Sequence, residues 1–179
     1  KPRKKDSYTP GGEMGMRPDH ATVVYAQQSK RLWPELPVII GGIEASLRRF
    51  AHFDYWENKL LPSILLESKA DLLIYGMGEK QIVEIADYLA GGAAVEDIRY
   101  VRGTAYLADD LQELEEYVEL PSWEAILKDR EAFAKAYHLQ SKELDPFYGK
   151  VVVQKNRQKF VVQNQVPYPL SQEEMDMIY

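Results

Sequence analysis

Two apolar runs in this chain stop abruptly at glycines followed by an acidic residue. They are Pro37-Val38-Ile39-Ile40-Gly41-Gly42-Ile43-Glu44 and Ala70-Asp71-Leu72-Leu73-Ile74-Tyr75-Gly76-Met77-Gly78-Glu79. Short aliphatic runs bounded by such breaks read as buried strands. Helical patterns lie before, between and after them. A buried strand that passes through helix to another buried strand is the crossover unit of a parallel sheet. In open sheets of this kind, ligands bind outside the carboxyl ends of the strands. Glycine at those ends lets the backbone approach a ligand closely. The two junctions therefore constrain both the fold and the place to look for function.

The remaining segments fill in around them. Residues 1–18 carry turn chemistry (Tyr8-Thr9-Pro10-Gly11-Gly12 and Gly15-Met16-Arg17-Pro18) and read as a basic, Gly/Pro-rich loop. Asp19 is placed to cap a helix running to about Trp33, which Pro34 ends. Glu44 to Arg49 is expected to open a helix, 50–56 to be an aromatic-rich connection, and Pro62 to start a helix through Ser68. Gln81 to Ala90 has one apolar face and stops at Gly91-Gly92. Strands are expected within 98–107 and, in the acidic stretch, within 110–120; Ser122 then caps a helix to about Lys142. Val151-Val152-Val153-Gln154 and Lys159-Phe160-Val161-Val162-Gln163 flank a polar tip, a hairpin pattern. Ser171-Gln172-Glu173-Glu174 is a capping box.

The expected class is α/β: a Rossmann-like parallel sheet flanked by helices, with an additional β-hairpin near the C-terminus. The expected division is a loop over 1–18, a Rossmann-like domain over 19–145, and hairpin plus connector over 146–179. Two parallel strands are too few for such a sheet. Further strands either precede residue 1 or are supplied by the later segments.

Composition limits the function. Hydrophobic residues make up 45% of the chain, which is enough for a core. No apolar run approaches the roughly 18 residues of a membrane span, and the start, Lys1-Pro2-Arg3-Lys4-Lys5, is unlike a signal peptide. That start reads as the cut end of a longer chain. There is no cysteine, which excludes disulfides, thiolate catalysis and an iron–sulfur cluster held by this segment's own thiolates. A cytoplasmic location fits. His20, His52 and His138 are far apart, so no metal site is expected. The formal net charge is −6, with the acidic excess in 51–150 and a basic excess in the first fifty residues. That balance does not support a nucleic-acid partner.

The candidate ligand-binding residues are Gly41, Gly42, Glu44, Arg48 and Arg49 from the first junction, with Gly76, Gly78 and Glu79 from the second. Neither junction completes the G-x-G-x-x-G dinucleotide fingerprint, because position 81 is Gln. Glu79 reads either as a capping carboxylate or as a partner for a ligand hydroxyl or amine. Glu44 and Arg48 share a helical face at i, i+4 and read as an ion pair. Alternatively, Arg48 or Arg49 forms an anion clamp. In His52-Phe53-Asp54-Tyr55-Trp56, alternation puts His52, Asp54 and Trp56 on one side. The stretch is either a packed connection or the source of acid–base groups, with His52, Asp54 and Tyr55 as candidates. Tyr8 to Gly12 is a surface turn or a loop over the site.

These residues occur in a familiar order. Ser7-Tyr8-Thr9-Pro10-Gly11-Gly12, Arg17-Pro18-Asp19, Gly41 through Arg49, Ala51 through Trp56, Lys69-Ala70-Asp71 and Gly76-Met77-Gly78-Glu79 resemble the N-terminal region of YgiQ-type radical SAM proteins. The stretch 41–56 is the most specific part. Pro167-Tyr168-Pro169-Leu170-Ser171 looks like the connector before the radical SAM barrel of that family. The two junctions also resemble, more loosely, the flavodoxin-like cobalamin-binding domain that precedes other radical SAM barrels. The Asp-x-His-x-x-Gly loop that ligates cobalt there is absent, and so is the Cys-x-x-x-Cys-x-x-Cys cluster motif. The resemblance implies a parent chain that binds a 4Fe-4S cluster and S-adenosylmethionine, with this segment as an accessory part holding or shielding substrate or a second cofactor against the barrel. Two other readings stand beside it. One is a stand-alone module for a nucleotide or anionic metabolite. The other is a structural or partner-docking domain whose hairpin exposes Val152, Phe160 and Val162.

Overall fold

A computed structural model of the chain describes residues 5–178. The basic start at 1–4 lies outside the described residues. Helix α1 (Ala21–Leu32) leads to strand β1 (Ile39–Ile40) and helix α2 (Gly42–Leu47). A small hairpin follows, β2 (His52–Asp54) with β3 (Lys59–Leu61), then α3 (Ile64–Ser68), β4 (Leu72–Ile74) and α4 (Glu79–Ala90). The second half is β5 (Thr104–Ala108), β6 (Tyr117–Leu120), α5 (Trp123–Lys128), α6 (Arg130–Lys142), β7 (Val151–Asn156), β8 (Lys159–Gln163) and α7 (Gln172–Ile178).

The fold is α/β, with a six-stranded sheet in the order β1-β4-β5-β8-β7-β6. Strands β1 and β4 run parallel, Ile39 beside Leu72 and Ile40 beside Leu73, which is the Rossmann-like crossover the junctions implied. The missing strands come from the later segments. β5 joins β4 antiparallel, β8 joins β5, β7 joins β8, and β6 closes the edge parallel to β7. The sheet is therefore parallel at its two ends and antiparallel in the middle.

Both faces are covered. Leu73, Ala105, Val152 and Val161 face α1, α2, α3, α5 and α6 through Ala26, Ala45, Ile64, Leu65, Ile126 and Ala136. Leu72 and Ile74 alternate to the other face, against Ile85 of α4 and Val95, Ile98 and Val101. The C-terminal hairpin lies within this sandwich. Val152 and Val162 are fully buried and Phe160 half-buried, so the exposed hairpin patch does not exist.

Four local expectations are corrected by side-chain chemistry. Asp19 does not cap α1; His20 holds the cap position, and Glu44 reaches across from α2 to accept from Thr22 N (3.3 Å) and Thr22 Oγ1 (2.6 Å). A carboxylate at a helix start satisfies free amides wherever it comes from. The 50–56 connection contains β2, paired to β3 with His52 opposite Leu61. Its turn uses Asn58 at φ 53, a left-handed conformation that Asn tolerates. Pro62 precedes the cap of α3 instead of entering it; the cap is Ser63, whose Oγ accepts from Leu65 N. The helix from Ser122 is broken at Asp129, which is extended (φ −142, ψ 121) and caps α6 through Glu131 N. The capping box at the tail forms, with Ser171 N donating to Glu174 Oε2 and Glu174 N to Ser171 Oγ. Among the described residues no helix is long and apolar enough to cross a membrane.

Candidate functional site

The parallel pairing of β1 and β4 brings the two glycine junctions side by side. Gly41, Gly42, Gly76, Gly78 and Glu79 line one cleft of about 390 Å³ at the carboxyl ends of these strands, floored by Ile39, Ile40 and Ile74. Gly42 (φ 80) and Gly76 (φ 72) turn in the left-handed region that favours glycine. Gly76 N donates to Ser46 Oγ at 3.2 Å, tying the second junction to α2. Glu79 Oε2 is shielded from solvent and has no hydrogen-bond partner among the described residues. The expected lining from the two glycine turns is therefore assembled in one place.

Glu44 and Arg48 face elsewhere. Arg48 ends α2, and its Nη2 lies 2.9 Å from Asp54 Oδ2, whose side chain is sealed from solvent. Arg48 Nη1 donates to His20 Nδ1 (2.5 Å) and lies 3.4 Å from Glu44 Oε1. Because arginine only donates, His20 Nδ1 accepts, and Nε2 carries the proton that points to Glu57 Oε1 at 2.8 Å. Glu57 N donates to Asp54 Oδ1 at 2.8 Å, which closes the circuit. The Asp54 carboxyl is held below its ordinary range, chiefly by that backbone N–H and, against burial, by Arg48. This network bolts α1 and α2 to the small hairpin, and its groups are occupied with each other. Tyr55 is 78% exposed and packs edge-on against Trp56. The loop after residue 5 sits nearby: Asp6 pairs with Arg17 at 2.6 Å and lines a broad cleft with His20, Trp56 and Glu57.

Arg49, one residue on, points the other way. Its Nε donates to Gln163 Oε1 at 2.6 Å, and Nη1 to the carbonyl of Ser46. The guanidinium lies 4.7 Å from the centre of the Tyr75 ring, a cation–π contact. The Tyr75 hydroxyl donates to Asn164 O at 2.6 Å, and burial pushes its phenol up. No ion pair among the described residues involves Arg49. Burial draws its guanidinium below the ordinary value, yet an arginine so placed keeps its charge at neutral pH. It forms the wall between two clefts. One, of about 350 Å³, lies against α6 and includes Phe50, His52, Phe133, Tyr137 and Gln154. The other, of about 420 Å³, lies under the 166–170 connector and includes Tyr75, Gly76, Met77, Lys80 and Tyr168.

His52 lines the α6 cleft. Its Nδ1 is 3.1 Å from Phe50 O, and a carbonyl only accepts, so Nδ1 carries the proton. Nε2 has no hydrogen-bond partner among the described residues. Burial holds the imidazole below its ordinary value, so it is neutral at pH 7.

Sequence reasoning missed the groups that aim this segment. Gln154 Oε1 accepts from Ala51 N (2.8 Å), Asn156 Oδ1 from Ser63 N (3.0 Å), and Gln163 holds Arg49. All three side chains come from the C-terminal hairpin and are fully buried. The signal was present: Gln154 and Asn156 share a period-2 face with Val152, and Gln163 shares one with Val161.

A family profile described as "Radical SAM N-terminal" matches residues 1–179. The chain belongs to that radical SAM N-terminal family. Among curated relatives, a UPF0313 protein of Clostridium botulinum (strain ATCC 19397 / Type A) is 50% identical over 179 residues, 100% of this chain and 28% of that protein. UPF0313 protein CPE1196 of Clostridium perfringens (strain 13 / Type A) is 52% identical over 178 residues, 99% of this chain and 27% of that protein. This radical SAM N-terminal domain thus spans about 28% of the length of the curated relatives it matches. No solved structure gives a significant match.

The donor chemistry of this domain does not suit an iron–sulfur cluster. It has no cysteine, and among the described residues no group of three or more His, Asp or Glu is placed to hold a metal. No chemical step is therefore routed through such a cluster on these residues.

Proposed function

We propose that this domain holds substrate, or a second cofactor, for a radical SAM barrel elsewhere in the same chain. In this reading the parent protein is a cytoplasmic enzyme that binds a 4Fe-4S cluster and S-adenosylmethionine outside this segment. A cysteine-free domain suits a reducing compartment. These residues supply no Asp-x-His-x-x-Gly loop to ligate the cobalt of a cobalamin.

One observation carries the reading. The charged Arg49, without a carboxylate partner among the described residues, stands in the wall of two clefts beside the carboxyl ends of β1 and β4. Its neighbour Arg48 behaves differently and is answered by Asp54 and Glu44. A shielded cation left without an anion is costly to keep for packing alone. It is a reasonable feature of a domain that grips an anionic group.

The test uses the full-length parent, reconstituted anaerobically with its cluster. Formation of 5′-deoxyadenosine from S-adenosylmethionine and consumption of a substrate from cell extract are measured with and without residues 1–179. The expected result is that cleavage persists and substrate consumption is lost. Loss of cleavage itself would make the domain a structural part of the barrel. No cleavage in either form would favour a stand-alone module for an anionic metabolite.

A further inference from the structure

We infer that the face at the carboxyl ends of β1 and β4 is a docking surface, and that its occupant is the polypeptide following residue 179 in the same parent chain. This rests on the substrate-holding reading above and says what covers the clefts. The three clefts on this face adjoin. The α6 cleft and the connector cleft share Arg49 and Leu144 in their walls, and the connector cleft shares Gly76 with the glycine cleft. Apolar and aromatic side chains stand exposed along this continuous surface: Leu47, Tyr137 and Leu144 at the α6 cleft, Met77 and Tyr168 at the connector cleft, and Ile82 at the glycine cleft. Among the described residues no Asp or Glu lines the α6 cleft or the connector cleft, in a chain that has 28 of them. Aromatic residues, Met and Arg with few carboxylates are the composition of an interface core. Contiguous apolar surface, as distinct from scattered single residues, marks an interaction site.

The route of the chain names the occupant. Gly103 N donates to Gln165 O at 2.8 Å and Arg102 Nε to Val166 O at 3.0 Å, and the Arg102 guanidinium lies 4.3 Å from the centre of the Tyr168 ring. These contacts pin the connector at the edge of this face. Lys80, in the wall of the connector cleft, then pairs with Glu174 at 2.6 Å and holds the first turn of α7 beside it. α7 buries none of its residues and leaves Met175, Met177 and Ile178 exposed. A helix this short depends on a face to pack against, and these residues do not supply one. The domain covers 28% of a curated relative and its family is described as N-terminal, so in such a parent most of the chain follows α7. A segment tethered at the edge of the surface meets it at a high effective concentration, which favours it over a second copy or a separate protein.

The test is made on the full-length parent. Hydroxyl-radical labelling of the unaltered protein compares Tyr137, 72% exposed on this face of the domain, with Tyr100, 62% exposed where it packs edge-on against Tyr88 of α4. The expected result is labelling of Tyr137 several-fold slower than that of Tyr100. A photo-crosslinking benzoylphenylalanine in place of Leu47, which is 73% exposed, identifies the occupant. The expected products join position 47 to residues beyond 179 within one chain, and the same label at position 100 forms none. Labelling of Tyr137 at the rate of Tyr100, crosslinks between two chains, or no crosslink to any residue beyond 179 would overturn the inference. If that happens while removal of residues 1–179 still spares cleavage and abolishes substrate consumption, the holding reading stands and only the docking surface falls. If position 47 joins residues beyond 179 but cleavage is lost with the domain, the docking surface stands and the holding reading falls.

Discussion

At the scale of single residues, adjacent arginines with opposite fates explain most of the site. Arg48 and Arg49 leave the end of α2 in different directions, and each direction meets a different environment. Arg48 meets Asp54, Glu44 and His20 and becomes a brace. Arg49 meets an amide, a carbonyl and an aromatic face and keeps its charge unanswered. Removing the partner of a buried pair leaves a charge stranded, so Asp54→Asn should destabilise the fold by about 3 kcal/mol in urea titration. A change within error would mean the network is ornamental. The glycines also differ. A Cβ on Gly78 would stand 2.6 Å from Ile74 Cγ2, a branch that packing holds in place. Gly78→Ala should therefore cost about 2 kcal/mol, with a matching fall in the denaturation midpoint, because β4 and α4 must part to admit it.

At the scale of elements, the C-terminal hairpin decides how the early motif is held. Gln154, Asn156 and Gln163 reach from β7 and β8 to Ala51, Ser63 and Arg49. Gln154→Leu would leave Ala51 N without its acceptor and Pro121 O without its donor. Hydrogen exchange at Ala51 should quicken while the amides of β4 keep their protection; equal loss in both would mean global unfolding instead. The same hairpin marks the limit of what the sequence disclosed. The β1 and β4 junctions, α4 and the hairpin were legible because each is a local pattern: an apolar run, a helical face, a turn between two strands. The place of the hairpin between β5 and β6 was not, because strand pairing is set by contacts far apart in sequence. Gly41, Gly42, Gly76, Gly78 and Glu79 were legible as neighbours in one cleft, since parallel strands end together. The loss of Glu44 to the start of α1 was not, because it depends on a helix twenty residues upstream. The small hairpin β2–β3 escaped notice because its left-handed turn residue is Asn58 instead of glycine.

At the scale of the whole molecule, two buried titrations set the pH response in the same direction. His52 is depressed below its ordinary value by burial, despite the Phe50 carbonyl that favours its proton. Between the folded and unfolded values, the unfolded chain binds the extra proton, so stability rises with pH there. Full stability is expected above the ordinary imidazole range, about 6.5, falling as acid is added. Arg48, Asp54 and His20 are the charged or titratable neighbours that modulate it. Asp54 is also depressed, and its contribution is present above the ordinary carboxylate range and lost as pH falls through its lower folded value. His52→Gln should flatten the upper part of the curve and leave the acidic limb intact. A curve unchanged near neutrality would show that His52 is not shielded in solution.

The most direct measurement is the ratio of 5′-deoxyadenosine formed to substrate consumed in the full-length parent, compared between the natural chain and Arg49→Met. A holding role for Arg49 predicts a ratio that rises by about tenfold or more, as cleavage continues without a substrate held in place. An unchanged ratio, in a variant that folds and keeps its cluster, would contradict it.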